Sequence, residues 1–249
     1  MSGRLERERE YHDRAFADNV RAPAKRFYVV NGEMHDWYLG ELAAFADGAR
    51  ALEYGCGPGS SAFRLARQGA HVVGIDISPV AIEQATEEGR REGLDDRLEF
   101  RVMDAEQLEF ADSSFDLVCG SGILHHLDLT RSFAEIARVL RPAGVGLFTE
   151  PLGHNPAINA YRRRTPGFRT VDEHPLLMGD FELARRFFDD VSTRYFTLTT
   201  LAAVPLRDRP GFAQVLGGLT SLDRLLFKAV PPLRRHAWMV GLMLRGPRA

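Results

Sequence analysis

The residues best suited to chemistry begin at Glu53-Tyr54-Gly55-Cys56-Gly57-Pro58-Gly59-Ser60, where glycines alternate with other residues. Glycines at this density let a backbone turn sharply and approach a ligand, and the free N–H groups of a helix starting just beyond favour an anionic or polar group. The spacing G-x-G-x-G departs from the dinucleotide pattern G-x-G-x-x-G, whose third glycine falls where Ser60 stands. Asp76 follows 21 residues after Gly55, ending the run His71-Val72-Val73-Gly74-Ile75, and Asp104 ends Arg101-Val102-Met103. A carboxylate at the carboxyl end of a parallel strand can accept hydrogen bonds from both hydroxyls of a ribose. Three consecutive strand ends thus carry ligand-type residues.

The elements that must position them are legible as an alternation of short apolar runs and amphipathic stretches, the pattern of β-α-β units. Strands are predicted at 51–54, 72–75, 98–103, 115–119 and 145–149. The clearest helix is predicted over 128–140, where Leu129, Phe133, Ile136, Ala137 and Leu140 share one face, Asp128 is the N-cap and Arg141-Pro142-Ala143-Gly144 is the stop. Helices are also expected at 5–19, 34–45 and 181–188. The tail reads as a strand over 192–199, an apolar connection through 201–235, and a closing strand over 236–244.

Composition narrows the class. With 249 residues, 45% apolar, 27% charged and a net charge of −2, the chain reads as a globular protein of one large domain. No apolar run spans a bilayer and no leader pattern is visible, so neither a signal peptide nor membrane insertion is expected. Cys56 and Cys119 are too few for a disulfide framework, and a reducing, cytoplasmic setting is expected. Acids outnumber bases 16 to 7 over 51–135, whereas bases outnumber acids 8 to 2 over 201–249. The overall balance gives no reason to expect nucleic acid, while a locally basic site stays open around Arg162, Arg163, Arg164 and Arg169.

Over residues 50–150 the sequence resembles the class I S-adenosylmethionine-dependent methyltransferases. The resemblance rests on Glu53-x-Gly55-x-Gly57-x-Gly59, Gly74-Ile75-Asp76-Ile77-Ser78, Met103-Asp104-Ala105, Phe115-Asp116-Leu117-Val118, Leu124-His125-His126-Leu127 and Arg138-Val139-Leu140-Arg141-Pro142-Ala143-Gly144. It implies a Rossmann-like, doubly wound α/β fold with a seven-stranded sheet, mostly parallel, whose last strand is antiparallel. The implied organisation is a helical lid over 1–48, a cofactor-binding core over 49–150, a substrate-roof insertion over 151–179 and C-terminal strands and cap over 180–249. The implied cofactor is S-adenosyl-L-methionine. Gly55, Cys56, Gly57 and Gly59 would carry its amino-acid end, with Glu53 supporting the loop from behind. Asp76 beside Ile77 would take the ribose, Asp104 with Ala105 the adenine, and Ser121 would lie near the methionine portion. Tyr11 in the lid would reach the carboxylate.

Methyl transfer from a sulfonium is an in-line displacement, so a protein mainly aligns the reactants, excludes water and handles one proton. His126 is the first candidate for the base, with His125 and Glu150 beside it at the ends of the fourth and fifth strands. The alternatives are that the histidines pack a helix start and that Glu150 is satisfied by the turn before Pro151. Tyr28, His154, Tyr161, Arg169, Glu173 and His174 are candidates for contact with a small-molecule acceptor, anionic or hydrophobic in character. The arginine run reads equally as a solvated face. No set of ligands shows metal spacing. The implied activity is methylation of a small molecule, on oxygen in specialised metabolism or, alternatively, on carbon of a prenylated or quinone-like substrate, or on nitrogen. A non-catalytic cofactor-binding protein is the reading from another class.

Overall fold

The computed structural model describes residues 3–18, 25–59, 61–165, 167, 170 and 172–248; Ser60 and Arg169 lie outside the described residues. In chain order the elements are helices α1 (Gly3–Asp18), α2 (Lys25–Tyr28) and α3 (Gly32–Ala44), strand β1 (Arg50–Tyr54), α4 (Ala62–Arg67), β2 (His71–Asp76), α5 (Pro79–Glu92), β3 (Leu98–Val102) and β4 (Phe115–Ser121). There follow α6 (Leu129–Val139), β5 (Leu140–Pro151), α7 (Pro156–Arg164), α8 (Met178–Ala184), β6 (Phe188–Phe196), α9 (Phe212–Ala229) and β7 (Met239–Pro247).

The strands form one seven-stranded sheet in the order β3-β2-β1-β4-β5-β7-β6. The first five are parallel, and β7 runs antiparallel to both β5 and β6. Parallel strands need both faces covered, and two apolar clusters do this, one around Phe115, Phe133 and Phe148, the other around Leu42, Leu65 and Leu117. Local chemistry sets the crossovers. Ser78 caps α5 by accepting the N–H of Ala81, Pro79 opens the helix, and left-handed Gly93 closes it. Asp128 caps α6 by accepting the N–H groups of Thr130 and Arg131, and Leu129, Phe133, Ile136 and Ala137 turn inward.

The tail departs from the sequence reading. The expected helix over 181–188 ends earlier, at Ala184, because the fully buried Phe188 opens β6. Consequently β6 begins before the expected 192 and ends at Phe196. The stretch read as a connection contains an 18-residue helix, α9. Its Gly217 and Gly218 weaken local helix propensity, although Phe212, Leu216, Leu219 and Phe227 recur at helical spacing and pack inward. The segment Pro231–His236 forms 3-10 turns and delays β7 to Met239. Residues 141–144, read as a helix stop, lie in β5, which starts as soon as α6 ends. No helix among the described residues is long and apolar enough to cross a membrane.

Candidate active site

Two cavities open at the carboxyl ends of the parallel strands. The smaller, of about 330 Å³, lies over the glycine loop. Gly55 and Gly57 adopt φ of 59° and 52°, the left-handed region. A Cβ at Gly55 would also come within 2.7 Å of Ile123, so the close approach needs glycine twice over. Glu53, buried behind the loop, accepts the N–H groups of Ser61 (2.9 Å) and Ala62 (2.8 Å) at the start of α4. Asp76 accepts the N–H of Gly57 through Oδ2 and that of Ser78 through Oδ1, each at 2.9 Å, which ties the loop to the end of β2. Burial raises the Asp76 carboxyl, with the Ser78 and Gly57 N–H groups opposing.

Cys56, Ile77, Asp104, Ala105 and Ser121 also line this cavity. Gly59 and Glu53 stand behind the lining. Helix α1 closes the top with Leu5, Glu8, His12, Ala15 and Phe16, a single stripe at helical spacing. Tyr11 lies next to that stripe, its ring edge-on to His12 at 5.4 Å, and is not part of the lining. Arg4 holds α1 down by donating to the carbonyl of His126 (2.8 Å) and to Glu106, while Ser78 meets Asp13.

The larger cavity, of about 730 Å³, is mostly apolar and aromatic. Tyr28 and Met34 stand on one side, Ile158, Tyr161 and Arg162 of α7 on another, and Leu201, Val204, Trp238 and Met239 also line it. Glu173 lines its polar end beside His125. His154 instead accepts the N–H of Met178 at 3.3 Å, and the backbone N–H of His174 donates to the carbonyl of His125 at 2.8 Å; neither side chain lines the cavity. The arginine run divides: Arg162 faces the cavity, whereas Arg163 and Arg164 are exposed. Ser121 and Gly122 line both cavities, so the two meet at the turn after β4.

At that turn the paired histidines part company. His125 lines the larger cavity and His126 the smaller. His125 Nδ1 lies 2.6 Å from Glu150 Oε2, and its Nε2 lies 3.8 Å from Glu173 Oε1. Glu150 is fully buried, and its Oε1 accepts the N–H groups of Ile123 (2.9 Å) and Leu124 (2.8 Å). Burial pushes its carboxyl up to about 7, against the pull of those N–H groups. An ionised Glu150 only accepts, which sets the Nδ1–H tautomer of His125 and leaves Nε2 as the basic nitrogen. His126 is 3% exposed, and burial pushes its imidazole down to about 4. Its neighbour Glu8, absent from the sequence reading, is also buried; burial works to raise its carboxyl, but His12, His126 and Thr170 outweigh it and hold Glu8 well below the usual carboxylate range. The signal available in sequence was the i, i+4 pairing of Glu8 with His12 on one helix face.

Residues 52–148 match the family model described as a methyltransferase domain. Over those residues the chain carries a methyltransferase domain, and its fold is that of S-adenosylmethionine-dependent methyltransferases of known structure. It is 39% identical over 113 residues to a sterol 24-C-methyltransferase of Gibberella zeae, covering 45% of this chain and 30% of that protein. It is 40% identical over 99 residues to the 27-O-demethylrifamycin SV methyltransferase of Amycolatopsis mediterranei, covering 39% of this chain and 36% of that one. The chain thus spans about a third of the length of these curated relatives. The fold is shared with magnesium protoporphyrin IX methyltransferase from Synechocystis PCC 6803, at a TM-score of 0.65 and 16% identity, over 97% of this chain and 99% of that one.

Proposed function

We propose that this protein is an enzyme that methylates a hydroxyl oxygen on a bulky, largely apolar small molecule. The observation that carries the reading is the meeting of two cavities at Ser121–Gly122, with His125 on the acceptor side. The glycine loop, Asp76 and Asp104 fit the smaller cavity to S-adenosylmethionine, which when bound supplies an electrophilic methyl on a sulfonium. Helix α1 excludes water from that side. The larger cavity seats the acceptor with its hydroxyl toward the shared rim, and its aromatic walls supply most of the contact area. His125 takes the hydroxyl proton at Nε2, while Glu150 holds the ring and stabilises the imidazolium that forms. His126, walled off beneath α1, belongs to the cofactor side and is not the base in this scheme.

Carbon methylation is the second reading, supported by the likeness to the sterol 24-C-methyltransferase. The test is turnover of isotopically labelled S-adenosylmethionine against hydroxylated and alkene-bearing polycyclic or macrocyclic acceptors, with the labelled atom located by NMR. Label on oxygen, lost in His125→Ala, supports the proposal; label on carbon selects the second reading. Tight S-adenosylhomocysteine binding with no turnover on any acceptor would instead indicate a cofactor-binding protein without catalysis.

A further inference from the structure

Beneath α1 lies a cluster that methyl transfer leaves without a task. Glu8 Oε2 sits 3.1 Å from His126 Nδ1 and 3.5 Å from His12 Nε2. The side chains of His12, His126 and Thr170 face the Glu8 carboxylate, yet neither oxygen of Glu8 and neither ring nitrogen of His126 makes an aligned hydrogen bond, and all four atoms are out of contact with solvent. A buried carboxylate in that condition is costly unless something satisfies it. The histidine rings stand at 76° to each other with centroids 5.1 Å apart, which leaves the nitrogens converging on the carboxylate without ring stacking.

The geometry points to a site for a divalent transition-metal ion of the zinc class, bound by Glu8, His12 and His126. Zinc bonds of about 2.0–2.2 Å to nitrogen and oxygen imply ligand-to-ligand edges of roughly 3.3–3.5 Å in a tetrahedron. The contacts of 3.1 and 3.5 Å come within about 0.2 Å of that length, and the three ligand atoms all lie within 4.8 Å of one another. Imidazole with carboxylate suits zinc, cobalt or iron better than magnesium or calcium, which prefer oxygen. A second grouping, His125, His126 and Glu173, competes for His126. There, however, the Nδ1 of His125 is already committed to Glu150, and binding would draw on the acceptor side.

The ligands come from two elements, Glu8 and His12 from one face of α1 and His126 from the turn after β4. An ion held by these three residues, all of which line the cofactor cavity, would fasten the lid to the core. The site needs neither the acceptor nor turnover, so it stands or falls separately from the proposed activity.

The test uses the tag-free, chelator-treated full chain titrated with zinc by calorimetry and with cobalt by visible absorption. Expected are one ion per chain, a tetrahedral cobalt spectrum, and binding weakened at least tenfold in His12→Ala and in Glu8→Gln. Glu173→Gln is expected to leave binding unchanged. Thermal melting of each metal-free variant checks folding. The partly exposed His12 gives a variant that keeps the core intact even where Glu8→Gln does not fold. Absence of saturable uptake, uptake unaffected by His12→Ala, or uptake lost only in Glu173→Gln would each overturn the assignment.

Discussion

Replacing Glu150 by Gln tests the proposed base without disturbing its seat. The side chain is fully buried, with one oxygen accepting two backbone N–H groups, of Ile123 and Leu124, and the other facing His125 Nδ1 at 2.6 Å. In the variant the amide oxygen must face the two N–H donors, because the reverse orientation sets donors against donors. The amide NH2 then donates to His125 Nδ1, which moves the ring proton to Nε2, the nitrogen that must accept. A base in the wrong tautomer cannot work, and its loss costs about 10²–10⁴-fold in turnover, equivalent to about 3–5 kcal/mol of barrier. Stability is expected to survive, since the hydrogen bonds persist and a buried charge disappears. The assay is single-turnover methylation of an accepted substrate, alongside calorimetry with S-adenosylhomocysteine, whose affinity should not change. His125→Ala should match the loss, and the double variant should be no worse, because the two residues act as one unit. Unchanged turnover in Glu150→Gln, or losses that simply add, would refute the scheme.

Other predictions probe the rest of the site. Asp76→Ala should weaken S-adenosylhomocysteine binding by about 1.5–3 kcal/mol, the range for hydrogen bonds to a charged group, as read by calorimetry; undiminished affinity would remove its assigned role. Because the folded state holds His126 at about 4 against about 6.5 when unfolded, the unfolded chain binds the extra proton between those values. Stability should therefore rise with pH across that window, by up to about 3 kcal/mol, and His126→Gln should flatten this part of a denaturation-against-pH curve. Asp223 accepts the N–H groups of Leu198, Thr199 and Thr200 and both threonine hydroxyls, so Asp223→Ala should cost roughly 3 kcal/mol in chemical denaturation and loosen the wall around Leu201 and Val204. If the acceptor is anionic, Arg162→Ala should raise its KM while Arg163→Ala leaves it unchanged; equal effects would mean that the exposed arginines share the task.

The cofactor half was legible because its constraints are local. Glycines forced into left-handed turns, carboxylates at strand ends and the capped, strongly amphipathic α6 each leave a mark within a few residues. Asp76 and Asp104 stand at the cavity for that reason. The division of labour between His125 and His126 was not legible, because the two rings lie side by side with centroids 4.2 Å apart, and only the positions of Glu150 and Glu8 show which carboxylate each faces. Those partners are 25 residues downstream of His125 and 118 upstream of His126. The same reasoning covers one anchor of α9, the buried Asp223 that serves another segment's backbone, a use that no periodicity reports.

The sheet order has a consequence for how specificity can change. The chain leaves the sheet after β5, and the N–H of Leu152 donates to the carbonyl of Trp238 at 2.8 Å where it comes back to begin β7. Between those two residues lie α7, the segment bearing Glu173 and the turn holding Leu201, Val204 and Pro205, all of which line the acceptor cavity, together with β6 and α9, which do not. The whole stretch is a cassette whose ends are hydrogen-bonded neighbours, so its internal length is nearly independent of the strands it joins. Substitution, lengthening or exchange of this cassette can remould what the enzyme accepts while β5, with Glu150 in register against Val240, continues to aim the proton acceptor at the same point.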